Sequence, residues 1–224
     1  MASVRIPEIF NKGISSLVLM DPRAFEELQI ALNSAPVGIY DTTAIEKLVP
    51  LVKLTPRDRL AEIVKALFGL QAGYLASDVP QSNFISDVAS TFVSEREEGK
   101  QLSVEDLDKL KDRLSKLMAA PVLAVGVKAH SVLFEHDRNF SESRILSDIR
   151  PVFGDKPSDP PIGAVLVHSL KITYVQGDEY KDFFVAMDSL DLQSLIDSLV
   201  RAQVKVKSLG SLFEKTNIHI IEPK

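Results

Sequence analysis

The amino-acid sequence predicts an α+β protein with an N-terminal all-helical bundle, a three-stranded antiparallel sheet and a long C-terminal amphipathic helix. The first observation behind this prediction is a change in hydrophobic period. Before about residue 140 apolar residues recur every three or four positions, as in helices, whereas afterwards they follow strand patterns. The second is that helix-start and turn residues lie between the apolar segments. We therefore expect a helical region over residues 1–140 and a β-β-β-α module over residues 141–224.

The composition is that of a folded protein, and it excludes several kinds of chemistry. Hydrophobic residues make up 45% of the 224 positions and charged residues 25%, which is enough apolar material for a sizeable core. The chain has no cysteine, so disulfides, thiolate catalysis and cysteine-ligated zinc are excluded. A net charge of −5 disfavours binding to nucleic acid or to an anionic membrane surface.

We expect neither a membrane span nor an export signal. The longest uncharged stretch in the middle of the chain, Leu117–Val127, is shorter than the roughly 20 residues of a membrane-spanning helix. The apolar run Ile14–Met20 is interrupted by two serines and lacks a convincing cleavage site. With the absence of cysteine, these observations predict a cytoplasmic protein.

Start signals and apolar spacing predict the helices of the first region. Asp21-Pro22 and Thr55-Pro56 each place a capping residue before a proline, and a third helix begins near Ser82. The segment Ser103–Asp106 resembles a capping box. The next segment, Pro121–Glu135, is apolar nearly all round, which is typical of a buried central helix. The sequence therefore predicts a bundle packed around Pro121–Glu135.

Three strands and one helix are predicted after residue 140. The strands are Ile145–Phe153, Ile162–Val175 and Tyr180–Met187, and Pro151 places the first of them at an edge or a bulge. A loop rich in proline and aspartate joins the first two strands, and a short hairpin turn containing Gly177 joins the last two. Asp188 or Ser189 caps a final helix over Leu190–Leu209, and the short apolar segment Ile218–Ile221 is a candidate extra strand.

Both faces of the predicted sheet are apolar over part of their length, although one local helix can cover only one of them. Because large exposed apolar patches are rare on monomers, we expect a cover from the helical region or from a second copy of the chain. The pattern alone leaves these two possibilities open. The candidate interface residues are Val165, Val167, Phe183, Val185, Met187, Leu195 and Leu199.

Residues 146–209 resemble a COMM domain. The similar positions are Leu146–Arg150, Leu170–Thr173 and Phe183–Met187, followed by the helix start Ser189–Leu192 with Leu195 and Leu199. In that family, three antiparallel strands and a leucine-rich helix follow an all-helical region. Its members dimerise by interlocking sheet and helix, and act as adaptors in multi-protein assemblies. The resemblance therefore implies this topology and a sheet that mediates dimerisation.

The four histidines are dispersed, and we expect structural roles for them. His130 lies among apolar residues, which is typical of a half-buried side chain. His136 lies near a helix end, where a cationic histidine suits the helix dipole. His168 shares a strand face with leucines, so a structural hydrogen bond is favoured, and His219 is expected on the surface.

No catalytic motif stands out, and we expect no catalytic residue, cofactor or metal ligand. The acidic cluster at 105–108 opens a helix, where it favours the dipole, and the loop aspartates fit no calcium-binding pattern. The favoured hypothesis is therefore a non-enzymatic interaction protein that homodimerises. The alternative is a small-molecule-binding protein or enzyme with a site between helical region and sheet, near Arg150, His168 and Tyr174.

Overall fold

The computed structural model describes residues 6–94, 103–213, 216, 218, 220 and 221, and it confirms the predicted α+β fold. The chain forms two compact units. Unit 1 comprises Met1–Leu133 together with Ile221–Lys224, and unit 2 comprises Phe134–Ile220. The division therefore falls after Leu133 rather than after residue 140, and the chain returns to unit 1 at Ile221.

Unit 1 is a helical bundle with one hydrophobic core. Its helices are α1 (Asn11–Leu19), α2 (Pro22–Ser34), α3 (Asp41–Leu48), α4 (Arg57–Leu75), α5 (Gln81–Ser94), α6 (Val104–Met118) and α7 (Pro121–Leu133). The sequence analysis did not predict α1 and α3. Both are short, so each contains too few apolar repeats to show a helical period on its own.

The central helix of unit 1 is α4, and the prediction that a buried helix over Pro121–Glu135 holds this place was wrong. Helix α4 packs against α1, α3 and α7, and its buried residues extend from Leu60 to Gln71. Helix α7 is buried only in its first half, because Val132 in its last turn is 68% exposed. Helix α7 is therefore apolar on all of its faces without being buried on all of them.

Two predicted helix starts are confirmed by side-chain caps. The cap predicted at Thr55 was wrong, because Pro56 is the N-cap of α4 and no described side chain caps that helix. The Asp21 carboxylate accepts a hydrogen bond of 2.8 Å from the backbone N–H of Arg23 at the start of α2. Ser103 and Asp106 form a reciprocal capping box at the start of α6. These caps satisfy backbone donors that have no partner within the helix.

Unit 2 contains the sheet and the last helix. Strands β1 (Asn139–Val152), β2 (Gly163–Gln176) and β3 (Glu179–Met187) are antiparallel in the order β1-β2-β3, and α8 (Ser189–Phe213) follows. Because β2 is central, Pro151 lies on an edge strand, as predicted. Gly177 in the β2–β3 turn has a φ of +63°, which glycine adopts without strain.

Some predicted segments differ from those in the structure. Strand β1 begins six residues before the predicted Ile145, at Asn139. Ile218, Ile220 and Ile221 do not form the predicted extra strand, and His219 lies outside the described residues. The sequence also predicts a polar linker over residues 95–100, which lie outside the described residues.

The two units differ in how many of their side chains are buried. Among the described residues, every buried hydrophobic side chain except Met187 belongs to unit 1. The described part of unit 2 adds only His168 and Thr173 as buried polar residues. None of the residues of α8, all of which are described, is buried. Unit 2 is therefore an ordered sheet and helix with almost no core of its own.

Among the described helices, no single one combines the length and apolar content of a membrane span. The neighbours α6 and α7 reach that length and content only when taken together, and they are bent by 64° at the break between them.

Candidate interaction surface

The cross-strand register sorts the side chains of the sheet onto two faces, because residues directly opposite each other on antiparallel strands point the same way. One face carries charged strand residues only at the hairpin end, at Glu179 and Lys181 among the described positions. We call this the apolar face. Its apolar residues are Phe140, Ile145, Ile149, Leu166, Leu170, Ile172, Tyr174, Phe183, Val185 and Met187.

Large side chains of the apolar face are exposed. Phe183 on β3 is 54% exposed and Ile149 on β1 is 74% exposed, and Leu166, which is opposite Ile149 on β2, is also exposed. Val185 and Leu170 are half-buried. Several large exposed apolar side chains on one sheet face are typical of an interaction site.

A polar pair lies in the middle of the apolar face. His168 on β2 is opposite Ser147 on β1 and Met187 on β3. The Ser147 hydroxyl and the Nδ1 atom of His168 are 2.8 Å apart and share a hydrogen bond. The structural hydrogen bond predicted for His168 is therefore present, and it allows the buried imidazole to lie among apolar neighbours.

An aromatic cleft of about 230 Å³ lies at the hairpin end of the apolar face. Phe140, Ile172, Tyr174 and Phe183 line it together with Arg138. The Arg138 guanidinium lies over the Tyr174 ring at 5.4 Å from its centroid, within the range of a cation–π contact. The cleft is therefore a shaped depression that could hold an apolar side chain.

The opposite face of the sheet carries most of the charged strand residues, and we call it the charged face. Its charged residues, together with Thr173, are Glu142, Arg144, Asp148, Arg150, Lys171 and Asp182. It also carries apolar and aromatic residues, which are Leu146, Val152, Val165, Val167, Val175, Tyr180, Phe184 and Ala186. Lys171 and Asp182 form an ion pair of 2.9 Å, and the Thr173 hydroxyl donates to Asp182 at 2.8 Å. The hydrogen bonds from Lys171 and Thr173 lower the pKa of the Asp182 carboxyl below its usual value. This face therefore combines a hydrogen-bonded charged group with exposed apolar side chains.

The register separates the predicted interface residues on the sheet. Phe183, Val185 and Met187 lie together on the apolar face, whereas Val165 and Val167 lie on the charged face. A single partner surface laid flat on the sheet cannot contact both groups. The strand alternation in the sequence already indicated two groups, but only the pairing shows which residues of neighbouring strands share a face.

The last helix carries a second exposed apolar surface. Its residues recur at alternating spacings of three and four and form one stripe along the helix. We call this the helix stripe, and it consists of Leu192, Leu195, Leu199, Ala202, Val206 and Leu209. Helix α8 packs against β2 and β3, yet only Leu192 and Leu195 of the stripe are half-buried. The rest of the stripe is exposed.

The residues considered for a ligand site do not converge. Arg150 lies on the charged face, whereas His168 and Tyr174 lie on the apolar face. His168 and Tyr174 are also six residues apart on one strand, or roughly 20 Å at the usual rise. In the described part of the chain, no three histidine, aspartate or glutamate side chains are grouped so that they could hold a metal ion.

His130 and His136 lie outside this surface. His130 on α7 is half-buried, as predicted, and its ring stacks on that of Tyr40 with the centroids 4.1 Å apart. His136 is exposed in the segment between α7 and β1, beyond the end of the helix. Its backbone carbonyl accepts a hydrogen bond of 2.9 Å from the side-chain amide of Asn139.

Comparison with known proteins adds no family to this description. No protein-family model matches the chain, and no curated protein matches it significantly.

Proposed function

We propose that this protein is a non-enzymatic interaction module that forms a homodimer through the apolar face and the helix stripe of unit 2. The observation that carries the proposal is the lack of a core in unit 2, whose large apolar side chains are ordered but exposed. Association would give these side chains the burial that one chain does not provide.

Physical chemistry requires such a burial. Fixing the backbone of each residue costs about 1–2 kcal/mol of conformational entropy, which folded domains offset mainly by burying apolar surface. Unit 1 has a continuous core for this purpose, whereas the described part of unit 2 buries Met187 as its one hydrophobic side chain. The sheet and α8 therefore need a partner surface to stay folded.

A second copy of the chain is the partner that fits the two surfaces. Each unit 2 offers a sheet face and the helix stripe, and within one chain only Leu192 and Leu195 of the stripe are half-buried. Two copies related by a twofold axis can each lay the exposed part of the helix stripe on the apolar face of the other. This arrangement covers both surfaces at once. Its twofold symmetry is closed, so a third copy has no free surface to bind.

The resemblance of residues 146–209 to a COMM domain supports the same proposal, since that module dimerises through sheet and helix. The charged face and unit 1 would then remain available for further protein partners, as in an adaptor. The cytoplasmic location stays a prediction from the sequence.

Two adjacent phenylalanines on opposite faces provide a test. Phe183 lies on the apolar face and Phe184 on the charged face, and they are 54% and 60% exposed. In Phe183→Asp a charge would have to be buried in the interface, so we expect dimerisation to weaken by more than about 100-fold. Phe184→Asp is the matched control and should keep the dimer. Sedimentation equilibrium across micromolar concentrations measures both.

Circular dichroism on the same samples reports what happens to unit 2. We expect dissociated Phe183→Asp to lose strand signal while the helices of unit 1 stay folded. A wild-type chain that is monomeric at micromolar concentration would refute the proposal. Equal weakening in the two variants would also count against it, because the dimer would then not depend on the apolar face.

A further inference from the structure

The residue at which the chain returns to unit 1 occupies a specific site there. The side chain of Ile221 lies directly against Gly38, in the segment between α2 and α3. A Cβ atom on Gly38 would lie 2.3 Å from Cγ2 of Ile221 and 3.0 Å from its Cβ atom. Only the absence of a side chain at position 38 leaves room for the isoleucine.

Gly38 is required there for a second reason, which is independent of the first. Its φ is +91°, a conformation that residues with a side chain rarely adopt. The turn therefore presents bare backbone to Ile221. The neighbouring Ile39 is buried in the core, so the turn itself is held in place.

We propose that Gly38 forms a socket for the side chain of Ile221, and that this contact fixes the chain to unit 1 at the residue where it returns from unit 2. The chain leaves unit 1 after Leu133 and returns at Ile221, so unit 2 is an insertion in the sequence of unit 1. Engagement of Ile221 therefore fixes the residue that directly follows this insertion.

The socket is a conformational device whose ligand is an aliphatic side chain of the same chain. It stands whether or not the protein dimerises.

Disulfide trapping tests the contact in a chain that has no cysteine of its own. In Gly38→Cys/Ile221→Cys the Cβ atoms start about 3.0 Å apart, and a shift of less than an ångström brings them to the separation found in disulfides. We expect an intramolecular disulfide on mild oxidation, seen by mass and by non-reducing electrophoresis. Gly38→Cys/Ile220→Cys is the matched control, because Ile220 is the adjacent isoleucine and is 47% exposed. It should form several-fold less intramolecular disulfide.

Methyl NMR provides a second measurement that does not depend on a cysteine at position 38. Gly38→Ala should move the Ile221 methyl resonances towards their random-coil positions. Gly177→Ala should leave them unchanged, since Gly177 also has a positive φ but has nothing within 4 Å of its Cβ position. An Ile221 methyl that is already at its random-coil position in the wild-type chain would overturn the proposal. A disulfide that forms only between chains would also overturn it, because the socket would then hold Ile221 of another copy.

Discussion

A single arginine shows how unit 1 places a charge inside its core. Arg113 on α6 is 4% exposed, and its Nη1 atom donates to the carbonyl oxygens of Leu17 and Val18 at the end of α1. Its guanidinium also lies 4.9 Å from the centre of the Phe25 ring. Burial lowers the pKa of Arg113, although the group remains protonated. The carbonyls at a helix end lack partners and attract cations, so Arg113 caps α1.

Replacing Arg113 by methionine should therefore destabilise unit 1. The methionine fills part of the same space but leaves the two carbonyls without their donor, and we expect a loss of about 2–4 kcal/mol in the free energy of unfolding. Urea denaturation followed by circular dichroism measures it. The control is Lys116→Met one turn along α6, where an exposed ion pair with Asp112 is lost and the effect should stay below about 0.5 kcal/mol. Equal losses in the two variants would show that the cap contributes nothing.

Helix α8 is stabilised by a hydrogen-bonded cap at its start. Asp188 caps it, as the sequence predicted, because its Oδ1 atom accepts 2.8 Å hydrogen bonds from the N–H groups of Leu190 and Asp191. The Asp191 carboxylate in turn accepts a hydrogen bond from the N–H of Asp188. No described residue of α8 is buried, so tertiary packing within the chain contributes little to this helix.

Removal of this cap should loosen the first turns of α8. In Asp188→Ala we expect a local loss of about 1 kcal/mol, seen as faster amide hydrogen exchange over residues 190–195. Asp197→Ala is the control, since Asp197 lies within the helix and accepts only the side-chain hydrogen bond of Gln193. Alanine suits a helix interior, so exchange there should stay the same or slow down. Unchanged exchange in Asp188→Ala would contradict the argument.

Elements were predictable from the sequence where the local signal is strong. The caps at Asp21 and Ser103, the turn at Gly177 and the edge position of Pro151 follow from side-chain chemistry within a few residues. Helices α1 and α3 are too short to show a period, and the incomplete burial of α7 depends on its surroundings in the fold. The faces of β1 and β3 could not be aligned with those of β2 before the register was known.

At the scale of the whole molecule, one chain contains a unit with a core and a unit almost without one. Unit 1 has a continuous buried core, whereas most large apolar side chains in the described part of unit 2 are exposed or half-buried, on the sheet and along α8. If unit 2 gains its core from a second copy, the stability of unit 2 depends on protein concentration and that of unit 1 does not.

Calorimetry at two concentrations tests this difference. We expect two unfolding transitions, of which the one due to unit 2 rises by roughly 3–5 °C for a tenfold increase in concentration. The transition due to unit 1 should not move. Phe183→Asp identifies the unit 2 transition, because the variant should lack it. A single transition that is independent of concentration would contradict the proposed dimer.

The sequence by itself determined the fold class, the order of the longer elements and the side-chain caps at Asp21, Ser103 and Asp188, because these depend on interactions between residues close in the chain. It also determined that apolar side chains exceed what one helix can cover. Only the tertiary structure decided which side chains of the three strands lie on one face, that α4 occupies the centre of unit 1, and that Ile221 lies against Gly38. These features join residues distant in the chain, and the pairing and packing that join them leave no local pattern in the sequence.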